Sequence, residues 1–124
     1  MKNTTAEAIN EYLRALVNRS LQKLIEAKCI EYSSEDHTIT PTTIGRLASF
    51  YYLSHETMQY FNQQLKSEME ISALVNVLAN AKEFFGLPVR HNEDILNEAL
   101  THLVPLKVPK NDLENPHVKA NLLL

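Results

Sequence analysis

Residues 39–57, ITPTTIGRLASFYYLSHET, decide how this chain is read. Pro41 removes a backbone donor and so ends a strand. A helix is predicted from about Thr42 to Leu53, with Ile44, Leu47, Ala48 and Tyr51 on its inner face. Gly45 inside it costs roughly 1 kcal/mol against alanine. A glycine kept there predicts the close approach of another backbone, or a binding surface. Arg46 follows near the helix start, where the helix dipole does not help a cation. Ser54 then caps a second helix with Met58, Phe61 and Leu65 inward, and Glu56 favours its dipole.

Upstream of this stretch, Thr4-Thr5-Ala6-Glu7 reads as a capping box. Ile9, Leu13, Leu16, Val17, Leu21, Leu24 and Ile25 form a helical apolar stripe, with one break expected near Asn18. Residues 30–32 and 38–40 read as short strands around the polar turn 33–37, which makes a hairpin.

Downstream, Ser67-Glu68-Met69-Glu70 reads as a second capping box. One long helix is expected after it, with Ile71, Leu74, Val75, Leu78 and Phe85 inward, Gly86 as C-cap and Pro88 as the stop. Asn92 caps another helix with Ile95, Leu96, Ala99, Leu100 and Leu103 inward. Asn115-Pro116 places a cap before a proline at N1 of a last helix. That helix runs to Leu122-Leu123-Leu124, an apolar ending that predicts a chain continuing beyond it. The expected division is 1–41 and 42–124, packed as one unit.

Composition narrows the function. The chain has 124 residues, 44% hydrophobic, with 2 glycines and a net charge of −3. Bulk charge therefore does not draw it onto nucleic acid, and local patches would have to do so. The single Cys29 allows no internal disulfide, and its phase beside Leu24, Ile25 and Ile30 predicts a small core residue. No segment approaches the roughly 18 apolar residues of a membrane span, so no membrane partner is expected.

The histidines at 37, 55, 91, 102 and 117 are scattered, with no zinc-ligand spacing, so no metal site is expected. There is no phosphate-binding glycine loop, no Asp-Glu-x-His box and no nucleophile elbow. The chain is therefore not expected to be an enzyme on its own. Arg46, Arg90 and His91 are the candidate contact residues, to nucleic acid or to a neighbouring domain. Arg90 and His91 lie in Leu87–Asp94, where they would touch a phosphate backbone or an acidic surface. In the same segment Asn92, Glu93 and Asp94 serve the next helix start, and both readings hold together. Arg19 and Lys23 share a helix face, which reads as solvated beside Glu26. The aromatic residues Tyr51, Tyr52, Tyr60 and Phe61 read as core rather than as a stacking platform.

Residues 20–30, 42–52, 87–94 and 115–124 follow one another in an order that resembles one family. It is similar to the tandem-cassette DExH helicases of superfamily two, at the end of the winged helix and the start of the SEC sixty-three homology region. The resemblance covers the chain from about residue 10. It implies a mainly α fold: residues 1–41 as the end of a winged-helix domain with one β-hairpin, then residues 42–124 as the start of a helical bundle. Such helicases unwind 3′ to 5′, with ATP and Mg held by RecA lobes that this chain lacks. No cofactor is expected in this chain and no catalytic residue carries over to it.

The resemblance implies a noncatalytic scaffold segment that couples the RecA motor to the strand channel. Its expected partners are the RecA lobes and the rest of a parent helicase, RNA or DNA, and subunits of a larger complex. A nuclear or cytoplasmic, intracellular setting follows, in RNA processing or DNA repair. Two other classes stay open: a stand-alone protein-interaction module using its last helix, and a small nucleic-acid-binding domain.

Overall fold

A computed structural model describes residues 5–105 and 107–124. The protein is mainly helical and carries one two-stranded antiparallel sheet among the described residues. Six α-helices occur among the described residues: α1 (Ala6–Glu26), α2 (Thr43–Tyr51), α3 (His55–Gln64), α4 (Ile71–Ala79), α5 (Glu93–Thr101) and α6 (Pro116–Leu123). Strands β1 (Ile30–Ser33) and β2 (Thr38–Pro41) form the hairpin between α1 and α2. The chain divides into two compact units, Met1–Gln59 and Tyr60–Leu124, with the boundary inside α3.

In the first unit, Thr5 caps α1 and its Oγ1 accepts the Ala8 amide at 3.4 Å. Thr4, the cap expected from sequence, lies outside the described residues. With Thr5 as N-cap, Glu7 falls at N2 and no capping box forms. Helix α1 runs unbroken through Asn18 for 21 residues, so the expected break is absent. Asn18 costs less than 1 kcal/mol in a helix, which neighbouring turns absorb. The helix ends in a Schellman turn: Lys28 N–H donates to Ile25 O, and Cys29 N–H donates to Leu24 O. Lys28 takes the left-handed position of that turn, with φ of 57°.

The hairpin pairs Ile30 with Pro41 and Ser33 with Thr38. Tyr32 Oη and His37 Nδ1 are hydrogen-bonded across its turn at 2.9 Å. Thr42 joins the hairpin to α2. Its Oγ1 accepts the Gly45 amide at 3.0 Å as the N-cap, and its own amide donates to Cys29 O at 3.1 Å. The same hydroxyl donates toward the carbonyls of Lys28, at 2.7 Å, and Cys29, at 3.0 Å. Ala27 and Cys29 are buried at this junction. Burial pushes the Cys29 thiol above its ordinary pKa.

The aromatic run of α2 is not core. Phe50 is 73% exposed and Tyr52 is 92% exposed, and Tyr51 and Leu47 are exposed as well. The helix stops at Tyr51, and Tyr52 turns left-handed at φ 57°, which carries its ring outward. Thr57 and Met58 of α3 are buried, and the Ser54 Oγ accepts the Thr57 amide at 3.1 Å. Leu65 follows the end of α3 and is exposed, against its expected inward place.

In the second unit, α4 begins only at Ile71, with Glu70 as an extended N-cap that makes no side-chain cap bond. The expected box at Ser67 does not form. Instead the Lys66 amide donates to Met69 Sδ at 3.2 Å, which keeps this turn irregular. The long helix expected from there to Phe85 is two pieces. Helix α4 stops at Ala79 and a 3-10 segment, Lys82–Gly86, follows. Gly86 is the last residue of that segment and has no left-handed φ, so it is not a left-handed C-cap. The buried face also differs from the expected one. Val77, Ala79 and Ala81 are buried, whereas Ile71, Leu74, Leu78 and Phe85 are exposed.

Helix α6 covers that face. Its His117 Nδ1 donates to Ala79 O at 2.9 Å, which fixes the proton on Nδ1. Asn121 Nδ2 donates to Asn76 Oδ1 at 2.9 Å. Ala120 and Leu122 are buried, and Leu123 and Leu124 are exposed. Asn115 caps α6 through the His117 amide with Pro116 at N1, as the sequence predicts. In α5 the buried residue is Asn97, and Ile95, Leu96 and Leu103 are exposed. Asn97 Nδ2 donates to Leu113 O at 2.9 Å, and this bond, not the apolar stripe, selects the inner face.

Candidate functional site

Arg46 sits in the first turn of α2 and is exposed. Its amide donates to Thr42 O at 3.0 Å, so the Thr42 cap that fixes the helix also fixes the base of this side chain. Four residues on, Phe50 lies on the same side of the helix. Phe50 and Tyr51 meet edge to face with ring centroids 4.9 Å apart. One side of α2 therefore carries a cation in its first turn and an exposed aromatic pair at its end, a composition suited to stacking or to an interface.

A cleft of about 430 Å³ adjoins this helix, lined by Cys29, Gly45, Ala48, Tyr52 and His55 among others. A Cβ on Gly45 would overlap the Cys29 carbonyl, so α2 lies directly on the end of the turn after α1. Of the two uses foreseen for Gly45, close backbone approach is the one observed.

Arg90 and His91 are both exposed, in the segment before α5. They line one cleft of about 430 Å³ together with Val89, Asn92, Asp94 and Glu114. The structure thus brings these two sequence-predicted residues together, and Arg46 belongs to the first unit. Asn92 is the N-cap residue of α5, yet its side chain makes no cap bond. It is left-handed instead, with φ of 67°. Asparagine tolerates that region better than other side chains. Glu93 ties the preceding loop instead, its Oε2 accepting the Arg90 amide at 2.8 Å.

Lys119 of α6 closes this segment from the other side. Its Nζ donates to Glu93 Oε2 at 2.6 Å and to Pro88 O at 2.7 Å. Both side chains are largely covered, at 14% and 23% exposure. The Lys119 bond, then the Arg90 amide, hold the Glu93 carboxyl below its ordinary value. Sequence reasoning missed Lys119 as a site residue. The only signal was that 87–94 and 115–124 stood out together as motifs. Among the described residues, no three His, Cys, Asp or Glu side chains gather to hold a metal ion. No helix among them is long and apolar enough to cross a membrane.

The Sec63 Brl domain model matches residues 41–124. The chain is 40% identical over 124 residues to "Activating signal cointegrator 1 complex subunit 3" of Bos taurus, which covers all of this chain and 6% of that protein. It is 37% identical over 123 residues to "DExH-box ATP-dependent RNA helicase DExH14" of Arabidopsis thaliana, over 99% of this chain and 6% of that one. It is 34% identical over 116 residues to the "U5 small nuclear ribonucleoprotein 200 kDa helicase" of Homo sapiens, over 94% of this chain and 5% of that one. The chain thus spans about 6% of the length of the curated relatives it matches. With most of its residues inside one family model and relatives alike along its whole length, the chain belongs to the Sec63 Brl domain family, in the form found in helicase-family proteins.

Proposed function

We propose that the chain is a noncatalytic scaffold segment of an ATP-dependent nucleic-acid helicase, coupling the RecA motor to the strand channel. The observation that carries this reading is α1. Its 21 residues include no buried side chain, and Ile9, Leu13, Leu16 and Val17 stand exposed along one helix. An apolar stripe of that length is characteristic of an interface. It favours a segment built to be covered by a larger protein.

In this reading residues 1–41 close a winged helix and the following residues open the helical bundle. ATP and Mg belong to the motor lobes, and the chain itself holds neither. Its partners are those lobes, the rest of the parent helicase, RNA or DNA, and subunits of a nuclear or cytoplasmic complex. Names among the relatives support this, since two are helicases and one is a complex subunit. Arg46, Arg90 and His91 make the contacts to nucleic acid or to the lobes.

The test is Arg46→Ala in a full-length helicase carrying this segment. Unwinding is expected to fall, or lobe docking to weaken, with the fold intact. Unchanged unwinding at unchanged thermal stability would sink the contact role of Arg46.

A second reading has one observation in its favour. The exposed aromatic residues Phe50, Tyr51 and Tyr52 beside Arg46 suit a small single-strand binder. It predicts micromolar or tighter binding of a single-stranded oligonucleotide with a clear salt slope. The scaffold reading predicts almost no binding by the isolated chain.

A further inference from the structure

The segment 87–94 and the last helix are far apart in sequence, and two hydrogen bonds from Lys119 join them. Glu93 Oε2 accepts from Lys119 Nζ at 2.6 Å and from the Arg90 amide at 2.8 Å, while the same Nζ donates to Pro88 O at 2.7 Å. The Glu93 amide in turn donates to Arg90 O at 3.1 Å. Between these ties stands Asn92 in a left-handed conformation. Such a backbone persists where its surroundings hold it. The cation and anion of the clip neutralise each other and are mostly covered. They are therefore spent on the loop's shape, whereas Arg90 and His91 remain exposed on the cleft.

We propose that Lys119 is a positioning residue: by clipping Glu93 and the Pro88 carbonyl to α6, it presets the loop that presents Arg90 and His91. This rests on the reading that those two residues make contacts. A preset loop binds without a further ordering cost. An intact α6 is then required for recognition at a loop that α6 does not itself extend.

The test is amide hydrogen exchange on this chain with Lys119→Met, Lys119→Arg and Glu93→Gln. In Lys119→Met the Arg90 amide should exchange at least about tenfold faster, with α4 amides unchanged. Lys119→Arg should restore most of the protection, since it keeps a donor cation. Should Lys119→Met fail to fold, Glu93→Gln decides: its neutral amide oxygen holds Lys119 less tightly, and a smaller acceleration at Arg90 is expected. Native-like protection of the Arg90 amide in these variants overturns the proposal.

The functional arm compares Arg90→Ala, Lys119→Met and the double variant in a full-length helicase carrying this segment. A loss in the double variant smaller than the sum of the two single losses supports positioning, and fully additive losses overturn it. An inert Arg90→Ala would refute the contact role of Arg90 alone, because the exchange result reads the clip independently.

Discussion

Gly45 and Cys29 meet backbone to backbone. A Cβ at Gly45 would overlap the Cys29 carbonyl oxygen and stand 2.8 Å from its carbon. That carbonyl already accepts the Thr42 amide and is met by the Thr42 hydroxyl. Neither partner has room to move without breaking the α2 cap.

Gly45→Ala therefore destabilises the first unit, although alanine is the better helix former. The propensity gain is about 1 kcal/mol. Overpacking against a fixed backbone costs about 1–3 kcal/mol. The net loss should appear as a lower thermal midpoint. A neutral or higher midpoint would show that α2 shifts freely over the turn after α1.

Lys28 carries the opposite liability. It occupies the left-handed position of the Schellman turn, at φ 57°. A non-glycine residue there costs about 1–2 kcal/mol, of which the greater unfolded-state entropy of glycine takes back about 0.4–1 kcal/mol. Lys28→Gly should raise stability by roughly 0.5–1 kcal/mol on that difference. Denaturant unfolding with an unchanged m-value reads it directly. A loss would mean that the Lys28 side chain contributes more than its backbone costs.

Asn97 is the buried polar residue of α5, and its amide serves the Leu113 carbonyl. Asn97→Ala leaves that carbonyl without its partner, at a cost of about 1–3 kcal/mol. Asn97→Asp should be at least as damaging, because it removes the donor and buries a carboxyl. Equal stability of wild type and Asn97→Ala in urea would contradict the assigned role.

These positions show what was legible in the sequence. The hairpin, the Asn115 cap with Pro116 and the closeness signalled by Gly45 depend on neighbours within a few residues or on one special backbone. They were read correctly. The inner faces of α4 and α5 were not, because they are chosen by partners far along the chain. Leu113 O selects Asn97, and α6 selects Val77 and Ala79. A break after Ala79 also takes Phe85 out of the phase that a single long helix would have kept. Helical spacing predicts Tyr51 and Tyr52 as core, but spacing alone does not say that α2 ends at Tyr51. Lys119 escaped notice for the same reason: its carboxylate partner is 26 residues away.

Glu93 makes the second unit sensitive to acid. Its carboxyl lies below the ordinary value of 4.5 in the folded state, chiefly through the Lys119 bond. The unfolded chain therefore binds the proton more readily, and stability rises with pH across the interval between the two values. The contribution is fully present above 4.5 and is lost as pH falls below it through the lowered folded-state value. Glu93→Gln should flatten that part of the stability–pH curve. An identical acid limb in wild type and variant would show that the clip carries no net linkage.

The exposed stripe of α1 separates fold from function most cleanly. Leu13, Leu16 and Val17 are exposed, and no α1 side chain is buried. Exposed substitutions usually stay within about 0.5 kcal/mol. Leu13→Gln with Val17→Gln should then leave the midpoint of this chain unchanged and make it less prone to associate. In a full-length helicase the same pair should lower stability or unwinding, since buried Leu- and Val-sized side chains contribute about 1.5–3 kcal/mol each. Loss in the helicase with none in the isolated chain would mark the stripe as an interface. No loss in either would remove the observation on which the scaffold reading rests.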